Sequence, residues 1–189
     1  MKWLDRYLQD QRIKKAKDYI PIGSTVLDIG SDDGILFKKV KNIQSGIGIE
    51  PKIEKEIVGN NFRIIKGYFP NDCAGQKFDV ITLLAVLEHI PPAELEKFGF
   101  DCYDTLNTDG LVIITVPSPK VDLLLTIFQK LKLIDGMSLE EHHGFKVTDT
   151  RNIFSENTFK LIAHEKFQMG LNNLFVFQAK NGNAILKQQ

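Results

Sequence analysis

The 189-residue chain is 43% hydrophobic and 25% charged, and its 24 lysines and arginines balance 24 aspartates and glutamates. Those values fit one globular domain with a substantial core and exclude a disordered, collagen-like or coiled-coil chain; the zero net charge gives no electrostatic case for nucleic acid or an anionic membrane. The two cysteines, Cys73 and Cys102, form no metal-ligand spacing and set no disulfide framework, and the lack of an apolar leader or a membrane-length run points to a cytoplasmic protein.

Along the chain, Trp3, Leu4, Tyr7, Leu8, Ile13, Ala16 and Ile20 recur at helical spacing until Pro21 and Gly23 stop the pattern, which predicts an amphipathic entry helix within residues 1–22. Its basic residues, Arg12, Lys14, Lys15 and Lys17, read as a solvated face. Residues 25–29 are β-branched and nearly all apolar, as in a parallel strand buried on both faces, and they run into a tight polar turn from Gly30 to Gly34 and a helix over 35–40. A second strand ends at Glu50, followed by a brief helical stretch over 52–58 that Gly59-Asn60-Asn61 closes. Strands over 62–66 and 78–84 follow, with a turn at Gly67-Tyr68-Phe69-Pro70 between them, and Pro92 stands where proline opens a helix over 93–98.

Asp109-Gly110 makes a turn into a fifth strand over 111–116. An amphipathic helix between Pro119 and Leu133, a polar stretch over 138–144 and helical signals over 149–159 lead to two β-rich runs, 161–168 and 173–179, joined so closely that only an antiparallel hairpin connects them. Strands alternating with helices predict an α/β sheet with helices on both faces.

The turn at Gly30 has a chemical use. Glycine lets the main chain approach a ligand where a Cβ would collide, and a helix start presents unpaired amide N–H groups. Glu50 lies about twenty residues beyond Gly30, the spacing that puts an acid on ribose hydroxyls. Asp28 has two readings, ligand contact or a carboxylate that only satisfies loop amides. His89 is a candidate base near the mouth of the crevice, or a cap or polar core residue. Glu140-Glu141-His142-His143 lacks the HExxH spacing, and consecutive ligands on one loop do not close a tetrahedral metal site, so no metal is expected.

Four segments in chain order resemble class I S-adenosylmethionine-dependent methyltransferases, especially the small-molecule branch: Val26-Leu27-Asp28-Ile29-Gly30-Ser31 with Gly34, Gly48-Ile49-Glu50, Phe78 through Leu87-Glu88-His89-Ile90, and Asp109 through Pro117. The resemblance implies a Rossmann-like, seven-stranded, mostly parallel sheet with a C-terminal antiparallel hairpin. One domain would divide into an N-terminal helix (1–22), a cofactor-binding half (23–117), substrate-side helices (118–160) and the hairpin (161–180). It implies S-adenosylmethionine as cofactor and S-adenosylhomocysteine as product. Asp28, Gly30 and Ser31 would lie under the methionine part, with Asp32 and Gly34 also cofactor-binding, Glu50 on the ribose diol, Gly67 and Tyr68 near the adenine, and Leu84 and Ala85 facing the sulfonium and a small-molecule acceptor. His142 and His143, in the region where this family inserts substrate-covering elements, join His89 as candidate bases. Two residues depart from the pattern: Asp32 replaces the loop's usual middle glycine, and Gly67-Tyr68-Phe69 replaces an aspartate for the adenine amine, with Asp72 further on.

Two other functions compete. A nicotinamide-dependent oxidoreductase needs G-x-G-x-x-G, and the loop lacks both later glycines at that spacing. A protein of this fold that binds cofactor or a partner without catalysis is the second.

Overall fold

The computed structural model describes residues 3–118 and 145–181. Eight strands form one sheet: β1 (Thr25–Ile29), β2 (Ser45–Ile49), β3 (Ile57–Val58), β4 (Phe62–Ile65), β5 (Phe78–Leu84), β6 (Leu106–Pro117), β7 (Phe159–Phe167) and β8 (Asn172–Ala179). Their order across the sheet is β3-β4-β2-β1-β5-β6-β8-β7. Strands β4, β2, β1, β5 and β6 run parallel, and β8 and β7 close one edge as the antiparallel hairpin. The chain leaves β1 outward through β2 and β4, then returns to β5 on the other side. The strand order therefore reverses at β1 and β5, and a crevice opens at their carboxyl ends.

The alternation of side chains along the strands sorts the core into two layers. Val26, Val80, Ile113 and Val176 point to the face covered by α1 (Trp3–Lys17) and α2 (Ile35–Lys39), which bury Ile13, Ala16, Leu36 and Phe37 there. Leu27, Ile81, Val112, Ile114, Phe175 and Phe177 point to the opposite face, under α3 (Leu95–Thr105) and α4 (Thr150–Ile153), with Phe98, Cys102, Ile153 and Phe154. At about 1.5–3 kcal/mol per fully buried large apolar side chain, these two layers supply the main drive for folding.

The structure departs from the sequence reading in several places. Residues 52–56 form a turn and a bend, not a helix, and Ile57–Val58 pairs antiparallel with Ile64 and Arg63 as an eighth strand. Two β-branched residues next to a tight turn gain more from an edge pairing than from one isolated helical turn. Asp109-Gly110 does not precede the fifth strand; it lies inside β6, where Asp109 has φ 59° and the register with β5 shifts between Phe78 and Val80, so the turn chemistry makes a bulge. The helical signal at 149–159 stops at Ile153, and Phe159 already belongs to β7. Pro92 opens a 3₁₀ turn, Pro92–Glu94, with α3 beginning at Leu95. The helix predicted between Pro119 and Leu133 and the polar stretch 138–144 lie outside the described residues.

Candidate functional site

A cleft of about 990 Å³ lies at the carboxyl ends of β1, β2 and β5. Asp28, Gly30, Ser31, Asp32, Glu50, Gly67, Tyr68, Leu84, Ala85 and His89 all line it. Gly34 does not: its φ is 74°, and a Cβ there would lie 3.0 Å from Ile64 Cδ1 and 3.3 Å from Phe62, so this glycine serves the entry into α2 and its packing on β4. His142 and His143 lie outside the described residues.

The wall built by β1 and β2 carries the charge. Gly30 has φ 74°, and the N–H groups of Gly30 and Ser31 both donate to Ile49 O, at 2.9 and 3.3 Å, which pins the turn to the end of β2. A Cβ at Gly30 would sit 2.8 Å from Val86 Cγ2, so the conformation and the opposite wall both require glycine. Glu50 is 9% exposed and accepts two main-chain hydrogen bonds, from Asp32 N–H to Oε2 (3.2 Å) and from Lys52 N–H to Oε1 (3.0 Å). The second bond draws residues 50–52 into a local turn, which competes with the helix expected there.

Asp28 is more deeply buried, at 4% exposed, and takes a hydrogen bond from the Thr82 hydroxyl at 2.6 Å. Burial pushes its carboxyl up to about 7; the Thr82 bond opposes the shift and the nearby charge of Glu50 adds to it. Ser31 is 4% exposed, and its hydroxyl has no hydrogen-bond partner among the described residues. Asp32, at φ 47°, stands on the rim with its carboxyl raised by partial burial and then by the charges of Asp33 and Glu50, while a hydrogen bond with Gln9 and the charge of Lys38 pull the other way.

The opposite wall is largely apolar, although His89 and Glu94 also line the cleft. Ala85 has φ 63°, a conformation that β-carbons disfavour, and its N–H donates to Thr115 O at 2.9 Å. Val86, Ile90 and Pro91 follow, and the 3₁₀ turn Leu87–His89 brings His89 to the lining. Phe69 and Phe98, which both line the cleft, meet edge to face at 5.2 Å. Asp72 folds back to accept Tyr68 N–H at 2.7 Å; it anchors the turn at Gly67 and is not part of the lining.

Sequence reasoning missed the contribution of α1. Gln9, Arg12 and Ile13 line the cleft, and with buried Ala16 they form one stripe at i, i+3, i+4 and i+7. That spacing was visible; the approach of Gln9 to Asp32, residues far apart in sequence, was not.

The doubly layered sheet with its reversed strand order and carboxyl-end cleft defines a Rossmann-like α/β protein. A family model described as "Methyltransferase domain" matches residues 2–169, and the chain belongs to that family, the class I S-adenosylmethionine-dependent methyltransferases. No curated protein matches the chain. Among solved structures, it is similar to N-methyltransferase NodS from Bradyrhizobium japonicum WM9 in complex with S-adenosyl-l-homocysteine, at 11% identity and TM-score 0.62 over 95% of this chain and 89% of that one. It is similar to the cyclopropane synthase MmaA2 from Mycobacterium tuberculosis, at 12% identity and TM-score 0.67 over 90% and 84%. The pyocyanin biosynthetic protein PhzM matches at 11% identity and TM-score 0.69 over 90% of this chain, which spans 55% of that protein's length.

Proposed function

We propose that this methyltransferase moves the methyl group of S-adenosylmethionine to a small-molecule acceptor by in-line displacement, with the cofactor held in the 990 Å³ cleft. The observation that carries this reading is the buried Ser31 hydroxyl, which lines the cleft beside a glycine turn at φ 74° and has no hydrogen-bond partner among the described residues. Asp28, Gly30, Ser31 and Asp32 fit the methionine end, Glu50 the ribose diol, Gly67, Tyr68 and Phe69 the adenine, and Leu84 and Ala85 the region where acceptor and donor meet. When bound, the cofactor supplies a methyl group already activated on a sulfonium. The chain's own residues then bind, orient and exclude water, and positioning lowers the barrier. PhzM being a pyocyanin biosynthetic protein supports a small acceptor.

His89 is the candidate base that removes a proton from an oxygen or nitrogen acceptor. His142 and His143 enter as candidates from the sequence alone. Among the described residues no cluster of histidine, cysteine, aspartate or glutamate is arranged to hold a metal, and no helix is long and apolar enough to cross a membrane.

Two measurements test the reading. Calorimetry should show S-adenosylhomocysteine binding, with Glu50→Ala weakening it by about 1–3 kcal/mol through loss of a charged acceptor. A wild-type protein that does not bind ends the reading, and an unchanged Glu50 variant removes that residue from the site. With an acceptor found by labelled-methyl screening, His89→Gln should lower turnover by roughly 10²–10⁴ while leaving cofactor affinity intact. Full turnover with an unchanged pH profile would reassign the base.

A further inference from the structure

Asp28 and Thr82 are register partners on β1 and β5, two residues beyond Val26 and Val80, so both side chains turn to the face that α1 covers. On the other side of Asp28 in the same row stands Gly48 of β2, which has no side chain, and beyond Thr82 stands Ile113 of β6, which is apolar. Thr82 is thus the residue of that row able to bond to the Asp28 carboxyl. It is fully buried behind the cleft, and its hydroxyl oxygen lies 2.6 Å from Asp28 Oδ1 and 3.4 Å from Leu27 O. A hydroxyl has one proton to give and lone pairs with which to accept. When Asp28 is ionised, Thr82 donates to Oδ1. When Asp28 carries a proton, Asp28 donates to Thr82 Oγ1 and the threonine proton turns to Leu27 O. One side chain serves both states, and only hydrogens have to move.

The other ionisable groups of the lining are Asp32 on the glycine turn, Glu50 and Lys52 after β2, Arg12 on α1, Tyr68 after β4 and, on the opposite wall, His89 and Glu94. The charge of Glu50 favours the protonated state of Asp28, and the Thr82 hydrogen bond favours the ionised one. We infer that Thr82 is a positioning residue that acts through Asp28: its hydroxyl holds the carboxyl in place in both protonation states and favours the ionised one, so that binding of the cationic cofactor expels a proton from Asp28 to solvent. The assignment rests on the cleft being the cofactor site. An ammonium in the cleft stabilises ionised Asp28, so proton and cofactor oppose each other, and affinity rises with pH until Asp28 is already ionised in the free protein. Thr82 touches no ligand and takes no part in the methyl transfer.

Calorimetry of S-adenosylhomocysteine binding from about pH 5 to about pH 8, in buffers of different ionisation enthalpy, reads affinity and proton release together. Wild type should gain about 10–100-fold in affinity over that range and release up to about one proton at its acidic end. Thr82→Val keeps the side-chain shape, removes the hydroxyl and should move the midpoint of the affinity change up by about one pH unit, and Thr82→Ser should restore it. Thr82→Ala removes the same hydroxyl and repeats the test independently of how valine packs. Asp28→Asn should abolish both the proton release and the pH dependence. A histidine ordinarily titrates in the same range, so a pH dependence that survives in Asp28→Asn would assign the proton to His89 and overturn the proposal. An unchanged midpoint in Thr82→Val and Thr82→Ala would also overturn it, because a merely structural hydroxyl lowers affinity without moving the pH profile. Wild-type affinity that does not vary with pH overturns the proton link alone, whereas a wild-type protein that binds at no pH overturns the cofactor reading on which it rests.

Discussion

Asp28 and Asp79 stand on adjacent parallel strands at opposite ends of the sheet, and folding equips them in opposite ways. Asp79, at the amino end of β5, accepts Thr25 N–H at 2.8 Å, the Thr25 hydroxyl at 2.9 Å and Asn107 Nδ2 at 2.7 Å. Burial alone would raise its carboxyl, but the three donors outweigh it and hold the group below the ordinary aspartate value. Asp28, at the carboxyl end of β1, has the Thr82 hydroxyl and the neighbouring Glu50 charge, and its carboxyl rises to about 7. Ser31 adjoins it with an unpartnered hydroxyl. One end of the sheet spends its polar groups on holding the strands together. The other leaves them under-satisfied, which costs stability in the ligand-free protein and leaves binding capacity for a cation.

The largest effect should come from removing the strained charge. The folded protein holds a proton on Asp28 up to about pH 7, whereas the unfolded chain releases it near 3.8. Between those values the native state binds more protons than the unfolded state, so Asp28 makes stability fall as pH rises from about 4 to 7, with no further change above that range. Asp28→Asn keeps an acceptor for Thr82 and removes the titration. It should match wild type near pH 4 and exceed it at pH 8 by an amount on the order of a few kcal/mol, measured by urea unfolding. The same variant should bind S-adenosylhomocysteine more weakly at pH 8. A variant that gains no stability at pH 8, or gains it without losing affinity, would break the contrast between the two ends.

Asp79→Asn should act with the opposite sign. Its carboxyl is held low, so its stabilisation is present above the unfolded aspartate value and is lost as pH falls through the folded one. Replacing it puts an amide that both donates and accepts against three donors, and about 1–3 kcal/mol of stability should disappear at pH 7, with cofactor affinity unchanged. Equal pH dependence in the two aspartate variants would show that position in the sheet does not decide their roles.

How far the sequence carried differs between these ends for a physical reason. Gly30, Glu50 and the strand bearing Asp28 were legible because a glycine turn after a buried strand, and an acid at the end of the next, are encoded in a few consecutive residues. The same local logic misplaced residues 52–58 and Asp109-Gly110, where pairing with β4 and β5 overrode the local signal. Gly34, which the resemblance assigned to the cofactor loop, does not line the cleft, and a Cβ there would meet Phe62 and Ile64. Arg12 read as part of a solvated helix face, and Gln9 drew no reading, because nothing near them in sequence announces Asp32 or the cleft. Only the docking of α1 on the sheet, through Ile13 and Ala16, brings Gln9 and Arg12 to the cleft.

That docking supplies the smallest expected effect and the final test of the contrast. Glu165 of β7 accepts from Lys15 Nζ at 2.8 Å and from the Tyr19 hydroxyl, so like Asp79 it is well supplied with donors, and these bonds hold its carboxyl below the ordinary value. Unlike Asp79, it lies at the surface, with the Lys15 and Glu165 side chains 39% and 37% exposed. Water already solvates both charges and ions screen them, so the pair stabilises little despite its short distances. Glu165→Gln should cost about 0.2–1 kcal/mol at low ionic strength and pH 7. The cost should shrink toward zero near 1 M salt, where the screening length falls to about 3 Å. The Asp79→Asn loss, made of hydrogen bonds between strands, should persist in the same salt. If the Glu165 variant loses as much as the Asp79 variant and salt does not reduce it, then donor count alone, and not position between the strands, sets the value of a carboxylate in this fold.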